Sequence, residues 1–365
     1  MNIISEGKAR IYAESGRISR KMEAFYNPAM KLNRDLSVQL LNAVGRRKMQ
    51  IADPLAGTGV RCIRFGLELE KGLAERIAIN DISRTAIASV RRNLKLNRIS
   101  SRLASVSNKD ANIFLLESKG FDYIDIDPFG SPAPFLDSAT QRLARGGIIA
   151  VTATDTAALA GTSPGACMRK YWARPLRNQS MHETGLRILI RRVQLAGMQH
   201  EKALTPILSY HDQHYQRTVL SCRKGRIPAA AIYRQHGFIT SCLKCLHAEA
   251  TALPKGNCSE CGSKAEIAGP LWLGQTSDAR LCLRMSKHGH RELLTAIAAE
   301  SKVKTPWIYN LNSLCRKSRI GKPPRIEAVI DRLRQAGHKA ARTHMDWEAI
   351  RTEATVKEIV EAIKH

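Results

Sequence analysis

The chain of 365 residues carries 58 Lys and Arg against 32 Asp and Glu, a formal net charge of +26. Its length allows two or three domains, and its charge points to a polyanionic partner, most simply nucleic acid, with a general solubility bias as the plainer reading. No apolar run approaches a membrane span and residues 1–10 carry no signal-peptide core, so a soluble, cytoplasmic protein is expected; nine cysteines, four of them in Cys-x-x-Cys pairs, argue for thiolate ligation over a disulfide framework.

The first informative stretch is Phe25-Tyr26-Asn27-Pro28-Ala29-Met30-Lys31-Leu32-Asn33-Arg34-Asp35. Pro28 breaks regularity, and Asn33 or Asp35 is placed to cap a helix carrying Leu36, Leu40 and Leu41. Residues 49–53 read as a short buried strand, Pro54-Leu55-Ala56-Gly57-Thr58-Gly59 as a small-residue turn, and 60–70 as a helix. Strand, glycine turn and helix open a doubly wound nucleotide fold, in which the missing side chains of Gly57 and Gly59 let backbone N–H groups approach a ligand. The spacing is neither Gly-x-Gly-x-x-Gly nor a Walker loop, which argues against a dinucleotide or triphosphate. Asp53, just before the turn, is a poor host for pyrophosphate and a good neighbour for a cationic ligand.

A second strand over 76–80 ends in Asp81, and Ser83 caps a helix with Ile87, Val90 and Leu94 on one face. An acid at that strand end is placed to bind ribose hydroxyls, although an ordinary acid at a helix N-terminus explains Asp81 almost as well. Asp110, in Asn108-Lys109-Asp110-Ala111-Asn112, falls where the third strand end meets the base of a bound nucleoside; alone it is a polar loop. A fourth strand over 121–126 stops at Asp127-Pro128-Phe129-Gly130, which no strand or helix continues through. Open α/β sheets bind ligands at such strand ends. The Asp127 carboxylate and the Pro128 carbonyl offer two acceptors for the N–H groups of an aromatic amine, and Phe129 offers a face for its ring. Asp125 reads as a structural carboxylate, and Asp155 as a supporting or base-contacting one.

A helix over 134–143, a turn at Gly146-Gly147 and a fifth strand over 148–152 follow. His182-Glu183 opens a further helix, and adjacent helical residues do not share a face, which favours helix-start roles over an acid/base pair. Strands over 201–210 and 215–222 close the sheet as an antiparallel pair. That order suggests a methyltransferase-type sheet over a dehydrogenase.

Phe25-Tyr26-Asn27-Pro28, Asn33-Arg34-Asp35, the run from Asp53 through Arg61, Asn80-Asp81, Asp110-Ala111-Asn112 and the run from Asp125 through Pro132 stand here in one order. In that order the chain resembles the tRNA (guanine(26)-N(2))-dimethyltransferase family, in its archaeal form, nearly end to end. The resemblance implies a Rossmann-like class I fold, S-adenosylmethionine as methyl donor and tRNA as substrate. It implies Phe25, Arg34 and Arg61 around the methionine end, Asp81 on the ribose, Asp110 and Ala111 near the adenine, and Asp127, Pro128 and Phe129 on the guanine amino group. Asp53, Gly57 and Gly59 join the cofactor set from the residue reading alone.

Residues 223–228, basic and proline-ended, read as a boundary, giving a methyltransferase domain over 1–224 and a smaller α+β tRNA-binding domain over 225–365. Cys242, Cys245, Cys258 and Cys261 form two Cys-x-x-Cys knuckles at zinc-ribbon spacing within 240–264, and a complete four-sulfur shell makes a structural zinc, not a catalytic one. His247 is a weaker ligand candidate, and Cys62, Cys167, Cys222, Cys282 and Cys315 read as ordinary thiols. Residues 302–365 alternate helices, a basic turn and a strand in a winged-helix-like pattern, expected to dock RNA through its phosphates. The expected protein is a monomer with no obligatory protein partner, transferring one or two methyl groups to guanine N2. The alternatives are an amino-methyltransferase of another RNA or DNA base, and a catalytically idle zinc-ribbon RNA-binding protein.

Overall fold

The structure, a computed structural model, describes residues 2–13 and 26–364. Strands β1 (Asn2–Glu6) and β2 (Ala9–Ala13) form a hairpin, with Gly7 at φ +56° in its turn. Helix α1 (Lys31–Val44) begins earlier than the caps Asn33 and Asp35 suggest. Asn27 is the cap, accepting the Ala29 N–H at 3.0 Å at the start of a 3-10 turn, Pro28–Met30, that leads straight into α1. Asn33 and Asp35 are therefore buried inside the helix, where arginines from the next helix satisfy them.

The central sheet then builds up by crossovers. Its strands are β3 (Met49–Asp53), β4 (Ala74–Asn80), β5 (Ala104–Ser107), β6 (Phe121–Ile126) and β7 (Leu143–Ala153). They are linked by α2 (Val60–Glu68), α3 (Arg84–Leu96), α4 (Ala111–Leu116) and α5 (Leu136–Arg142). Short helices α6 (Thr156–Leu159) and α7 (Pro164–Tyr171) lead to the long α8 (Met181–Met198), and β8 (Lys202–Asp212) and β9 (Tyr215–Lys224) finish the sheet. The strand order is β5-β4-β3-β6-β7-β9-β8, parallel up to β7 and antiparallel for the last two pairs. The predicted turn at Gly146-Gly147 lies inside β7. Leu143 already pairs with Phe121 and the next pair is Tyr123 with Ile148, so the extra residues bulge out, with Gly146 at φ +69°.

Two apolar layers cover this sheet. Ile51, Ile77, Tyr123 and Ala150 face α1, α2 and α3, while Ala52, Ile124, Ile149 and Val151 face α4, α5 and α8. The period of two decides where charge goes: Asp53, Asp125 and Asp127 share the parity of Ile51 and Tyr123 and point to the α1–α2 side.

Beyond α9 (Arg226–Tyr233) the chain joins the same cores and adds one of its own. Strands β10 (His236–Ser241), β11 (Ala248–Thr251) and β12 (Glu266–Trp272) form a three-stranded ribbon with β10 central. Ile239, Leu271 and Trp272 of that ribbon pack into the α8 layer. Helices α10 (Ala279–Met285) and α11 (Arg291–Glu300), which the sequence reading passes over, put Leu281, Met285 and Leu294 into the α1 layer. Strand β13 (Tyr309–Asn310), helices α12 (Leu311–Ser318) and α13 (Ile326–Gln335), strands β14 (Ala340–Arg342) and β15 (Ala349–Thr352) and helix α14 (Val356–Lys364) enclose a separate cluster around Leu314, Val329 and Ile359. Its sheet order is β13-β15-β14, so three strands stand where sequence shows one. Among the described residues no helix is long and apolar enough to cross a membrane.

Candidate active site and metal centre

The carboxyl ends of β3, β4, β5, β6 and β7 meet along one edge of the sheet. After β3, the Pro54–Gly59 turn reverses the chain into α2, with Gly57 at φ +54° and Gly59 at φ +74°, values that an L side chain strains to adopt. The Gly57 N–H donates to Asp81 Oδ2 at 2.9 Å and the Ser83 N–H to Asp81 Oδ1 at 2.9 Å, which fixes this carboxylate at the end of β4. Asn80 ties the neighbouring turns together, donating to the carbonyls of Pro54 and Lys109. Asp110 caps α4 through one oxygen, Oδ1, which accepts from Asn112 and Ile113, and Ala111 follows it, buried.

Behind that edge lies a buried charge cluster. Arg61 of α2 donates Nη1 to Asn33 Oδ1 at 2.8 Å and to Ser37 Oγ at 3.0 Å, sets Nη1 3.1 Å from Asp125 Oδ2, and donates Nη2 to Asp127 Oδ2. Arg217 of β9 reaches the same group through Asp125, Thr152 and Ser37. Burial opposes the charge on Asp125, but Arg217 and Arg61 outweigh it and hold its carboxyl below the usual range. Asp53 is also fully buried, with Arg61 Nε 4.0 Å away and the Cys62 thiol donating to Oδ2. Burial, aided by the like charges of Asp125 and Asp127 and opposed by Arg61, pushes Asp53 up to about 7. With Asp53 protonated, two guanidinium groups face two carboxylates and the cluster is neutral.

Asp127 stands at the mouth of this cluster, half-buried, and Pro128 behind it is buried while the Phe129 ring is exposed. Thr154 pins the following turn: its Oγ1 accepts the Gly130 N–H at 2.7 Å and its own N–H donates to the Gly130 carbonyl. Asp155 accepts from Tyr171 Oη and from Lys170 Nζ at 3.0 Å.

Arg34 lies further along α1, held by Glu6 of the hairpin, by the Asn27 carbonyl at 3.0 Å, and against the Tyr26 ring. Arg64 joins the same acids, pairing with Glu6, Asp35 and Glu68. Phe25 lies outside the described residues. The sequence reading misses Arg217, Glu6 and Arg64. Arg217 leaves a signal: it is the one charge within Tyr215-Gln216-Arg217-Thr218-Val219-Leu220, on the parity of Tyr215 and Val219, so a core-facing arginine needs a buried acid. His182 and Glu183 lie in the first turn of α8 and point to different partners. His182 stacks on His211 with centroids 3.9 Å apart, and Glu183 accepts from Arg187 and Arg351.

A family model described as N2,N2-dimethylguanosine tRNA methyltransferase matches residues 3–364. The chain belongs to this family. It is 38% identical over 380 residues to the tRNA (guanine(26)-N(2))-dimethyltransferase of Methanothermobacter thermautotrophicus, which spans 100% of this chain and 98% of that one. It is 36% identical over 383 residues to the tRNA (guanine(26)-N(2)/guanine(27)-N(2))-dimethyltransferase of Aquifex aeolicus, over 100% and 96% of the two chains. The solved structure of Trm1 from Pyrococcus horikoshii with S-adenosyl-L-methionine matches all of both chains with a TM-score of 0.89 at 33% identity. The dimethyltransferase family's sheet is the one expected from the alternating strands and helices and the closing antiparallel pair.

The four knuckle cysteines of this family member also converge. Cys242 and Cys245 lie in the β10–β11 connection, Cys258 and Cys261 in a second turn closed by the Asn257–Lys264 bridge. Their sulfurs all lie within 4.8 Å of one another, with Cys242–Cys261 and Cys245–Cys258 each at 3.6 Å. Zinc–sulfur bonds of about 2.3 Å in a tetrahedron put sulfurs about 3.8 Å apart, so the group fits zinc. Four sulfurs fill the shell and leave no position for a reacting water.

Proposed function

We propose that this chain transfers one or two methyl groups to the exocyclic N2 amino group of guanine 26 of tRNA, with S-adenosylmethionine as donor. The observation that carries the reading is the convergence of Asp127, Pro128 and Phe129 at the end of β6 in a chain that belongs, end to end, to the dimethylguanosine methyltransferase family.

The donor set along the sheet edge suits the cofactor. Asp81 offers carboxylate oxygens for ribose hydroxyls, and Asp110, whose capping bonds use only Oδ1, offers Oδ2 for an adenine amino group beside Ala111. Gly57 and Gly59 keep side chains out of the turn, Phe25, Arg34 and Arg61 would surround the methionine end, and Asp53 faces that end with a carboxyl poised near neutrality. When bound, S-adenosylmethionine supplies a methyl group activated by a sulfonium.

The rest of the chemistry falls to this chain's own residues. A guanine amino nitrogen is a poor nucleophile because its lone pair is delocalised into the ring. Asp127 accepting one N–H and the Pro128 carbonyl the other localise that pair and aim it, while Phe129 stacks on the base. Arg61, bonded to Asp127, keeps that carboxylate in place. Asp127 is the proton acceptor once the nitrogen has become cationic, so no strong base is required.

Residues 1–224 would serve catalysis and 225–365 tRNA binding, with the zinc ribbon and the winged segment 302–365 supporting the docking face. The protein would act in the cytoplasm as a monomer. The deciding experiment is a nucleoside digest, weighed by mass spectrometry, of unmodified tRNA transcripts incubated with the protein and S-adenosylmethionine. Guanosine carrying one or two methyl groups on N2 is expected, its position then being mapped on the intact tRNA. A methylated adenosine or cytidine would move the activity to another base, and no product on any RNA or DNA would favour an idle domain.

A further inference from the structure

Helix α7 ends in an unusual way. Trp172, the residue after its last turn, has φ +55°, a conformation in which a glycine or asparagine is unstrained and a bulky aromatic is not. The reversal sends adjacent aromatic side chains in opposite directions. Tyr171 is fully buried and donates to Asp155 at the end of β7, with Ser131 of the Asp-Pro-Phe-Gly loop beside the same hydroxyl. Trp172 is half exposed on the outer surface.

Two consecutive arginines of α8 secure this arrangement. Arg192 lies over the indole with its guanidinium carbon 4.1 Å from the ring centroid and donates Nε to the Lys170 carbonyl at 3.3 Å. Arg191 Nη1 approaches the Trp172 carbonyl at 3.5 Å, and exposed Tyr233 stands close enough to Arg191 to interact with its charge. Arg169, Lys170 and Arg174, close to Trp172 in sequence, are exposed. The nearby acids are Asp155, held by Lys170 and Tyr171, and Asp137, which interacts with Arg192 and bonds His200. The patch thus interleaves exposed aromatic faces with cations and joins, through Tyr171 and Asp155, the edge of the sheet that carries Asp127.

We propose that Trp172, backed by Arg192, is a stacking platform for an unstacked base of the substrate RNA, with Arg169, Arg174 and Arg191 on the flanking phosphates. This rests on the tRNA reading above and adds a contact to it. Charge decides the class of occupant: a cationic rim on a chain of net charge +26 attracts a polyanion, and a base supplies the flat apolar face that matches an indole. The guanidinium stacked on one side of the ring holds the indole in place and enriches its interaction with the base on the other.

The test compares Trp172→Ala and Trp172→Phe with the wild-type chain on unmodified tRNA, reading KM, kcat and S-adenosylmethionine affinity separately. The alanine variant is expected to raise KM for tRNA about tenfold, with smaller effects on kcat and on cofactor affinity, and phenylalanine to restore most of the loss. An unchanged KM in the alanine variant, or equal losses in both variants, overturns the platform. Should the alanine variant not fold, tryptophan fluorescence decides: tRNA quenches the wild type, and Trp172→Phe is expected to lose that part of the quenching, whereas identical quenching overturns the proposal. Failure of the wild-type chain to make dimethylguanosine would instead count against the tRNA reading itself.

Discussion

Arg217 holds Asp125 by two hydrogen bonds, Nη1 to Oδ1 at 3.0 Å and Nη2 to Oδ2 at 2.7 Å, with neither side chain more than 1% exposed. The pair spans two strands that are not neighbours in the sheet, with β7 between them. Arg217 also reaches Ser37 of α1, and Arg61 reaches both Ser37 and Asp125, so helices and sheet share one polar knot beneath the reacting edge.

Removing one partner of that knot should cost far more than removing both. Arg217→Met leaves buried Asp125 with Arg61 as its one cation, beside the Tyr123 hydroxyl that donates to it, and is expected to lose about 3–5 kcal/mol of stability, whereas Arg217→Met with Asp125→Leu should recover much of it. Denaturant unfolding of the three proteins measures this. A single variant as stable as the wild type would mean that the pair contributes nothing.

Asp127→Asn tests the acceptor at the mouth of the knot. The amide keeps the size but presents no full negative charge to the guanine amino group, and kcat is expected to fall by about 100-fold or more. Arg61 retains Asp125, Asn33 and Ser37, so cofactor affinity by calorimetry should remain close to the wild-type value. A parallel collapse of both would place Asp127 in cofactor binding instead of amine alignment.

The candidate site's strand ends were legible in sequence because proline and glycine force them: Asp127-Pro128 and Pro54–Gly59 admit no continuation, and alternation in Tyr123, Asp125 and Asp127 assigns one face. Local rules failed where distant groups compensate. Asn33 and Asp35 look like caps because a free carboxylate and amide inside a helix are unfavourable, yet Arg61 and Arg64, some thirty residues away, neutralise that cost. Gly146-Gly147 looks like a turn because only a bulge in a paired strand, invisible without its partner β6, gives such residues another use. Helices α10 and α11 went unseen since their apolar residues complete a core begun by α1 some 240 positions earlier in the chain.

Asp53 gives the knot a pH dependence. Its carboxyl is raised from the ordinary carboxylate range to about 7, so the folded state keeps a proton that the unfolded chain releases above about pH 4. Its contribution is fully present below about pH 4 and is lost as pH rises through 7. Asp53→Asn, which stays neutral, should remove this component, so the stability difference between variant and wild type should grow in the variant's favour from pH 5 to pH 8. Parallel stability curves over that range would show that Asp53 is already ionised in the folded protein.

The four knuckle cysteines should hold one zinc per chain, measured by elemental analysis of the purified protein. A chelator is expected to loosen residues 236–272 first, seen as faster amide exchange in β10 and β12, and only later to lower affinity for S-adenosylmethionine. Cofactor affinity lost in step with the metal would mean that the ribbon and the sheet edge do not separate.

The last prediction concerns how residues 302–365 are fastened to α8, which packs on the central sheet. Arg351 of β15 donates Nη1 to Glu183 Oε1 at 2.8 Å and Nη2 to Glu183 Oε2 at 2.6 Å, and Arg187 holds the same carboxylate from within α8. Burial opposes the charge of Glu183, but Arg351 and Arg187 outweigh it and bring its carboxyl down to about 2. A lowered acid contributes stability above the ordinary carboxylate range, and that contribution is lost as pH falls towards 2. Arg351→Met should therefore cost about 3–5 kcal/mol at neutral pH and shrink in effect on acidification. Because β15 is the central strand of its three-stranded sheet, the loss should appear as faster amide exchange in residues 340–352 while β6 stays protected. Uniform loss across both regions would mean that the segment and the sheet unfold as one unit, with Glu183 serving the whole fold and not the joint.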